Sequence, residues 1–449
     1  MNKYNSYKDS EVKWLDKIPD NWERSRIRMV GNLYGGLSGK KGDDFNREEN
    51  LFNKPFVPFT NIFNNTYISK DHFQYVNVEE GENQNRVLKN DLFFLMSSES
   101  YEDLGKSSIL LDDVEELYLN SFCKGFRIKD DRVYPLFLNY QLLGSLHKEM
   151  ISLEGNGFTR INLRQDRLLD IPVFIPPLSE QQQIVSFLDD KTQKIDSLIQ
   201  QKEKKIELLK EKRTSLINHV VTKGLDSNVD MKDSGVVWIG EIPSHWKTGK
   251  LKNNSDLRIS SVDKHILEEE RKVTVCNYTD VYYNEFITSN LPLRKGSCSE
   301  NEYTNFLLKK GDVIITKDSE SPTDIGVPSL VKDDLENVVC GYHLSIMKSH
   351  KTKLVGDYLF RQLQTKRIRS YFEINSNGIT RFGLGKSSVL ETLLILPPIS
   401  EQQQIVEYLD KHTEEIDTLI QLEQKKIDTL KEYRQSLISE VVTGKIKVV

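Results

Sequence analysis

The sequence predicts an α+β protein made of two related halves, each of which joins a mixed α and β domain to one long helix. The first observation is a repeat: the segment SEQQQIV occurs at residues 179–185 and again at residues 400–406. A pair of prolines precedes each copy, and a long run of helix-forming residues follows it. The second observation is a mixture of strand-like runs, such as residues 312–316, with helix-like stretches. The repeat interval is far too long for a solenoid unit, so whole domains are duplicated.

Length and composition agree with a multidomain globular protein. At roughly 100 to 200 residues per domain, the 449 residues predict two to four domains. The chain has 62 Lys and Arg against 67 Asp and Glu, a net charge of −5, so any basic surface must be local. The four cysteines and eight histidines lack zinc-ligand spacing, which predicts buried thiols and no metal site. Because the sequence has no apolar leader and no apolar run of about 18 residues, we expect a cytoplasmic chain without a membrane span.

Shared landmarks align the two halves from end to end. An Ile-Pro pair flanked by tryptophans occurs once in each half, at residues 14–22 and 238–246. The segment NGFTR at residues 156–160 matches NGITR at residues 377–381. Between these landmarks the halves diverge, across residues 51–91 and 272–312. The pattern predicts a constant frame with variable filling, in which the tryptophans anchor the cores; a role in partner binding is the alternative.

The segments after SEQQQIV are predicted to be helices of about 43 residues, roughly 60 Å long. Apolar residues recur near the helical period in both copies. In the first copy they are Ile184, Leu188, Ile195, Leu198, Ile199, Ile206, Leu209, Leu216, Ile217 and Val220. In the second they are Ile405, Leu409, Ile416, Leu419, Ile420, Ile427, Leu430, Leu437, Ile438 and Val441. Ser179 and Ser400 suit the helix starts, and Gly224 and Gly444 suit left-handed C-terminal caps.

A helix of this length cannot bury its apolar stripe alone, and the simplest partner is its own duplicate. Antiparallel pairing would give the chain an approximate two-fold axis. Dimeric DNA-binding proteins use such an axis to bind half-sites about 34 Å apart. The alternative is a purely structural coiled coil, which the duplicated flanking domains disfavour.

These motifs resemble the specificity subunit of type I restriction-modification enzymes. The resemblance rests on IPPLSEQQQIVSFLDDKTQKID, its copy LPPISEQQQIVEYLDKHTEEID and the paired WxxxIPxxW segments, and it covers essentially the whole chain. It implies two target-recognition domains alternating with two conserved helical regions that pair as an antiparallel coiled coil in a pseudo-two-fold tandem repeat. The corresponding boundaries are 1–175 and 226–396 for the recognition domains, and 176–225 and 397–449 for the helical regions.

The resemblance also implies a function in DNA recognition without catalysis. Each recognition domain is expected to read one part of a bipartite site on double-stranded DNA, with the helices setting the spacer. Two methyltransferase subunits would dock on the chain, together with restriction and translocase subunits. S-adenosylmethionine, ATP and Mg²⁺ are then cofactors of the partner subunits, and none is expected on this chain.

Candidate DNA contacts are local groups of cations and of polar side chains. The cations are Arg24, Arg26, Arg28, Lys40, Lys41, Arg160 and Arg164 in the first half, and Arg361, Arg367, Arg369, Arg381 and Lys386 in the second. Candidates for base reading are Thr60, Asn61, Asn277 and Thr279. The alternatives are a solvated charged face and ordinary turns, respectively.

Partner docking is predicted at the identical helix starts, because identical surfaces on both halves suit two identical partners. The candidate residues are Glu180, Gln181 and Gln182, with Glu401, Gln402 and Gln403.

Catalytic motifs are incomplete. The run GLGKS at residues 383–387 ends like a phosphate-binding loop, but Thr380 stands where that loop needs its first glycine. The Pro-Pro pairs lead into helices and not into a methyltransferase motif. Two other functions stay open from the residues alone: a coiled-coil scaffold that binds proteins, and a nuclease or methyltransferase with unrecognised motifs.

Overall fold

The computed structural model describes residues 3–46, 48–49, 53–79, 81–263 and 265–448. The chain forms two compact units. Unit 1 contains Met1–Lys202 and Lys425–Val449, and unit 2 contains Glu203–Gln424. Each unit therefore takes the first half of one long helix and the second half of the other.

Unit 1 begins with short strands and includes the first part of one long helix and the second part of the other. Its strands are β1 (Tyr7–Val12), β2 (Leu15–Pro19), β3 (Glu23–Arg26), β4 (Gly31–Gly35), β5 (Phe45–Asn46), β6 (Asn53–Val57), β7 (Gln74–Asn77), β8 (Leu92–Leu95), β9 (Ser97–Ser98), β10 (Ser107–Ile109), β11 (Tyr118–Leu119), β12 (Cys123–Ile128), β13 (Gly155–Asn156), β14 (Ile161–Leu163) and β15 (Pro172–Ile175). Its helices are α1 (Ile27–Val30), α2 (Phe59–Asn64), α3 (Pro135–Leu143), α4 (Ser145–Leu153), α5 (Gln165–Asp170) and the first part of α6 (Leu178–Lys223).

Two four-stranded sheets form the centre of unit 1. One has the order β10-β8-β12-β4 and is antiparallel; the other has the order β11-β6-β7-β5, with β11 parallel to β6. A smaller sheet joins the hairpin β13–β14 to β9, and β15 pairs with β3 near the start of α6. Between the sheets lies an apolar core that includes Val57, Ile62, Phe93, Leu95 and Leu119.

Unit 2 has a similar order of elements. Its strands are β16 (Met231–Asp233), β17 (Glu241–Pro243), β18 (Lys247–Lys250), β19 (Ser255–Ile259), β20 (Arg271–Cys276), β21 (Phe286–Ile287), β22 (Arg294–Cys298), β23 (Val313–Thr316), β24 (Asp318–Ser319), β25 (Pro328–Val331), β26 (Val338–Cys340), β27 (Leu344–Ser349), β28 (Ser376–Asn377), β29 (Phe382–Leu384) and β30 (Leu393–Leu396). Its helices are α7 (Tyr278–Tyr283), α8 (Glu300–Phe306), α9 (Gly356–Leu363), α10 (Lys366–Ile374), α11 (Lys386–Leu390) and the first part of α12 (Ile399–Val442).

The sheets of unit 2 differ in detail from those of unit 1. The main sheet has the order β19-β27-β23-β25-β21, and a second sheet has the order β22-β20-β26. A hairpin again joins a short strand, here β28–β29 with β24. The divergence between the halves is also visible in α8, which follows β22 and is capped by Ser299.

The two long helices pack against each other within each unit. In unit 2, Lys205 pairs with Glu423 at 2.9 Å and Arg213 pairs with Asp417 at 2.9 Å. The partner's number falls as the first number rises, so the helices are antiparallel. In unit 1, Arg434 pairs with Asp196 at 2.9 Å. The predicted α+β class with two paired long helices is confirmed.

The helix ends match the prediction at the glycines and differ at the serines. Gly224 and Gly444 adopt the left-handed conformation, with φ of +82° and +73°. At the other end α6 begins at Leu178, so Ser179 lies in the first turn and does not cap it. The carbonyl of Pro177 instead accepts the backbone N–H of Glu180 at 2.9 Å.

Two other predictions need correction. The apolar stripe is predicted to include Leu198 and Leu419, but each is 44 % exposed because the helical period has carried it off the packed face. Trp22 and Trp246 are fully buried anchors, whereas Trp14 and Trp238 are 48 % and 46 % exposed. The four cysteines are free and buried, as expected.

Candidate nucleic-acid interface

A tight hairpin turn carries the repeated NGxTR motif in unit 1. Strand β14 pairs with β9 through Ile161 and Ser98, which fixes the hairpin on the sheet edge. Gly157 has φ of +140°, and a Cβ there would lie 2.1 Å from the carbonyl oxygen of Arg160. The turn therefore requires glycine. It holds the residues after it, Phe158 to Arg160, in one conformation at the surface.

Arg160 is held by neutral groups. Its guanidinium donates to the Oγ of Ser97 at 3.1 Å and 3.3 Å and lies 5.7 Å from the ring centre of Phe122, which is itself exposed. Within the described part of the chain, Arg160 has no carboxylate partner. An exposed cation without an acid partner, next to an aromatic ring, suits contact with a phosphate backbone.

The glycine-rich loop at residues 35–41 adjoins the same edge. The N–H of Leu37 donates to the carbonyl of Leu119 at 2.8 Å, and a Cβ on Gly36 would lie 2.1 Å from the carbonyl oxygen of Asn120. Lys124 pairs in register with Gly35. Loops 35–41, 120–122 and 156–160 thus meet, and we call them loop cluster 1.

Unit 2 contains an equivalent arrangement, loop cluster 2, made of loops 260–262, 341–343 and 377–381. The N–H of Tyr342 donates to the carbonyl of Val262 at 2.6 Å. Arg381 lies 3.3 Å from Nδ1 of His343, and that nitrogen bonds the carboxylate of Asp318 at 2.5 Å. Gly378 has φ of +151°, the counterpart of Gly157.

The two clusters share a frame and differ in chemistry. The arginine of the hairpin is common to both. In unit 1, Ser97 and Phe122 hold this arginine. In unit 2, Asp318 occupies the position of Ser97, and His343 occupies the position of Phe122. None of these four neighbours was predicted from the sequence. The one available signal was position, since Phe122 and His343 each directly precede a central strand.

Most other predicted cations have internal partners. Lys40 is half-buried and binds Glu82 at 2.5 Å, and this hydrogen bond lowers the pKa of Glu82 to about 2. Arg24 binds Glu11, and Arg26 and Arg28 both bind Asp170. Arg164 binds Asp166 at 2.9 Å. Lys41 has an exposed side chain, and its backbone N–H donates to Asp44.

In unit 2, several predicted cations are also structural. Arg361 is buried and binds Asp410 of α12 at 2.8 Å. Arg367 donates to the carbonyl of Leu393 at 2.9 Å, and burial lowers its pKa to about 10. Burial also lowers the pKa of Arg369. Lys386, the first residue of α11, is exposed.

The predicted base-reading residues lie on two equivalent short helices or directly before one of them. Thr60 and Thr279 are exposed, and each is the second residue of its helix, α2 or α7. Asn61 is buried, and its amide donates to the carbonyl of Ser69 at 2.8 Å, so it stabilises the loop after α2. Asn277 is half-buried and caps α7: its N–H donates to the carboxylate of Asp280 at 2.8 Å. On this geometry, Thr60 and Thr279 are accessible to DNA and Asn61 is not.

Comparison with known proteins decides the family. Residues 19–208 and 243–432 each match the type I restriction modification DNA specificity domain. The chain belongs to this family. It is therefore a DNA target-recognition subunit of a type I restriction-modification system, and it is non-catalytic.

Similar proteins span the chain from end to end. The putative MjaX specificity subunit of Methanocaldococcus jannaschii is 24% identical and covers 98% of both chains. The EcoKI specificity subunit of Escherichia coli K12 is 22% identical, over 96% of this chain and 90% of that one. Among solved structures, the HsdS subunit of Thermoanaerobacter tengcongensis has a TM-score of 0.53 at 14% identity, over 96% of this chain and 98% of that one. A chain from a structure of type I R-M complex assembly and conformational transition has a TM-score of 0.70 at 14% identity, over 96% and 100% of the two chains.

The start of each long helix in this specificity subunit is tied to its own unit. Trp22 donates its indole N–H to Glu180 at 2.9 Å, and Trp246 donates to Glu401 at 2.8 Å. Gln181 is fully buried and makes three hydrogen bonds to backbone groups of Arg132, Tyr134 and Pro176. Gln402 does the same with Lys353, Val355 and Pro397. Gln181 and Gln402 therefore support the fold and are unavailable to a partner, whereas Glu180 and Glu401 are only half-buried.

The most exposed residues of the predicted docking surface are glutamines. Gln182 and Gln403 are exposed, as are their neighbours Gln183 and Gln404. Within the described ranges, no cluster of metal-ligating side chains occurs and no helix is long and apolar enough to cross a membrane.

Proposed function

We propose that this specificity subunit reads a bipartite DNA site, with one part bound by each unit. The observation that carries the proposal is the pair of loop clusters. Both hold an arginine on the same hairpin frame, and their remaining side chains differ. A common cation suits the phosphate backbone, which is the same at every site, whereas different neighbours suit different bases.

The recognition domains in this proposal are residues 1–175 and 226–396. The helical regions, residues 176–225 and 397–449, fix the distance between the two half-sites. The antiparallel pairing of α6 and α12 supports this role because a paired helix is a stiff spacer with a defined rise per residue.

The partner subunits are two identical methyltransferases, joined by restriction and translocase subunits. The repeated exposed glutamines, Gln182 and Gln403, support two equivalent docking surfaces. S-adenosylmethionine would be bound by the methyltransferases, and ATP and Mg²⁺ by the restriction subunits. The target adenine would leave the stack to reach the methyltransferase.

Base-modification sequencing of host DNA, with and without this chain, tests the proposal. We expect one adenine-methylation motif with two defined parts and an unspecified spacer to disappear when the chain is absent. An unchanged methylome in cells that express all subunits would contradict it. A reconstituted complex with a single methyltransferase per chain at saturation would contradict the docking scheme.

A further inference from the structure

The apex of each NGxTR hairpin presents a large apolar side chain to solvent. Phe158 is 102 % exposed and Ile379 is 93 % exposed. Hairpin turns normally carry small or polar residues, because these satisfy the backbone locally. Single exposed apolar residues are common on protein surfaces. Here, however, one stands at the same apex in both units.

The apex of unit 1 is held rigidly. Gly157 closes the turn, and its carbonyl accepts the hydroxyl of Tyr101 at 3.3 Å. The strands that follow and precede the turn pair in register through Asn156 and Asn162. Arg160, two residues after Phe158, is fixed by Ser97. Phe158 therefore projects from a preformed support.

The chemistry around each apex favours DNA as the occupant. Arg160 has no acidic partner in the described part of the chain, and Arg381 contacts an imidazole. Both arginines can meet phosphates beside an inserted side chain. Proteins that kink DNA place Phe, Leu, Ile or Met between base pairs and hold the flanking backbone with cations.

A protein partner fits this pattern less well. Two identical methyltransferases would offer identical pockets, and a close-packed pocket shaped for phenylalanine does not accept isoleucine without a void. The gap between two base pairs accepts any apolar wedge of suitable thickness. The change from Phe158 to Ile379 at equivalent apices is therefore more compatible with DNA.

We propose that Phe158 and Ile379 are wedges that insert between base pairs, one at each half-site, while Arg160 and Arg381 hold the adjacent phosphates. The proposal rests on the DNA-recognition function and adds a deformation step to it. Insertion unstacks a base step next to the bases that are read. That makes the duplex easier to open for a partner that extrudes the target adenine.

The test uses the full complex with its methyltransferase subunits and a duplex that carries the methylated motif. 2-Aminopurine replaces a single base at successive positions through and beside both half-sites, except at the target adenine, whose extrusion would itself raise the fluorescence. With the unaltered chain, fluorescence should rise several-fold at one step in each half-site. Phe158→Ala should abolish the rise at one half-site only, and Ile379→Ala at the other. Each change should weaken binding roughly tenfold.

Matched controls separate insertion from general effects. Leu153→Ala and Val237→Ala remove other exposed apolar side chains, 61 % and 103 % accessible, and should leave both signals unchanged. Phe158→Ile copies the apex of unit 2 and should retain the signal. The apex side chains are exposed, so melting temperatures should stay within about 1 °C of the unaltered chain.

Three outcomes would contradict the proposal that these side chains insert between base pairs. Fluorescence signals that survive both alanine changes would show that neither side chain enters the stack. Loss of a methyltransferase subunit from the DNA-free complex on Phe158→Ala would assign the apex to protein docking. Equal loss at both half-sites from one change would contradict insertion at a single site. If the unaltered complex enriches no bipartite motif, the recognition function itself fails, which is a separate result.

Discussion

Arg160 and Arg381 occupy equivalent positions in the two units, but the groups that hold them differ. A hydroxyl and a phenyl ring support Arg160, whereas an imidazole paired with a carboxylate supports Arg381. The sequence predicted both arginines from the repeat. It did not predict that Lys40 would be neutralised, because Glu82 lies far along the chain and meets Lys40 only after folding. A run of cations in a sequence does not reveal which carboxylates fold against it.

Arg160→Ala should weaken DNA binding by the assembled complex about equally for every sequence. An arginine on a phosphate releases counterions, so its loss should lower the slope of log Kd against log salt by about one. Titrations at several KCl concentrations measure this slope. Arg164→Ala is the control: Arg164 is paired with Asp166, so its change should have a much smaller effect. Equal slopes for both variants would contradict the assignment.

His147 should make unit 1 sensitive to acid. It is fully buried, its Nε2 bonds the carbonyl of Pro172 at 3.0 Å, and burial lowers its pKa from 6.5 to about 4. Between these values the unfolded chain binds the proton and the folded chain does not. Stability should therefore fall as pH drops from 6.5 to 4, by about 3 kcal/mol at 1.36 kcal/mol per pKa unit.

Urea unfolding at pH 7.5 and pH 4.5, followed by tryptophan fluorescence, measures that change. His147→Gln removes the titration and keeps a donor for Pro172. The variant should lose less stability on acidification than the unaltered chain. An identical loss in both proteins would assign the acid sensitivity to other groups.

At the scale of elements, each long helix is joined to its unit through an equivalent aspartate, Asp189 or Asp410, whose partners differ in chemistry. In unit 1, Tyr67 and Tyr140 donate to Asp189 of α6 at 2.6 Å and 2.5 Å. In unit 2, Arg361 and Lys332 bind Asp410 of α12, each at 2.8 Å. Although burial opposes it, these bonds lower the pKa of Asp410.

The two long helices were predictable because apolar residues recur at the helical period and the same pattern occurs in both copies of the repeat. The role of the helix starts is harder to predict from the sequence. SEQQQIV was expected to be a docking surface, since identical surfaces suit identical partners. The segment can also be repeated for a structural reason, however: the same buried contact between the helix start and its unit occurs in both halves. Sequence alone does not separate these causes, because burial of Gln181 depends on backbone groups near residues 132–134.

Gln181→Ala and Gln402→Ala should each destabilise the chain by about 1–3 kcal/mol, because each leaves several buried backbone groups without partners. Urea unfolding monitored by the fluorescence of Trp22 and Trp246, which lie beside these helix starts, measures the loss. Gln182→Ala is the exposed control and should change stability by less than about 0.5 kcal/mol. A similar loss for all three variants would contradict the buried-contact interpretation.

For the whole molecule, the sequence suggests four consecutive segments, but the compact units cut across both long helices. Unit 1 closes only with residues 425–449 in place. The arrangement was hard to predict because compactness depends on which helix halves pack together, and the repeat makes several pairings equally plausible from sequence. The fold class and the duplication followed from short motifs, whereas Ser97, Phe122, Asp318 and His343, which hold the two hairpin arginines, come together only on folding, where the repeat gives no guide.

Insertion of one heptad into α6 should change the spacer of the recognised site without changing either half-site. Seven helical residues add roughly 10 Å, close to three base-pair steps. Base-modification sequencing of cells that carry the variant measures the new motif. A seven-residue insertion in the exposed turn at residues 226–230 is the control and should leave the spacer unchanged. An unaltered spacer after insertion into the helix would contradict the proposal that the helices set the spacer length.

The sharing of both long helices sets the order in which the protein is completed during translation. Unit 2 is made from one continuous stretch, residues 203–424, and has all its residues while the last part of the chain is still on the ribosome. Unit 1 must wait for α12, because Gln141 bonds the carbonyl of Val442 and Gln435 bonds that of Leu143. At ordinary elongation rates, the time between synthesis of the first part of unit 1 and synthesis of its last helix is roughly 10 to 50 s. The part of the protein made first is therefore the last to finish folding, and its unfinished surface is what chaperones and proteases meet in the meantime.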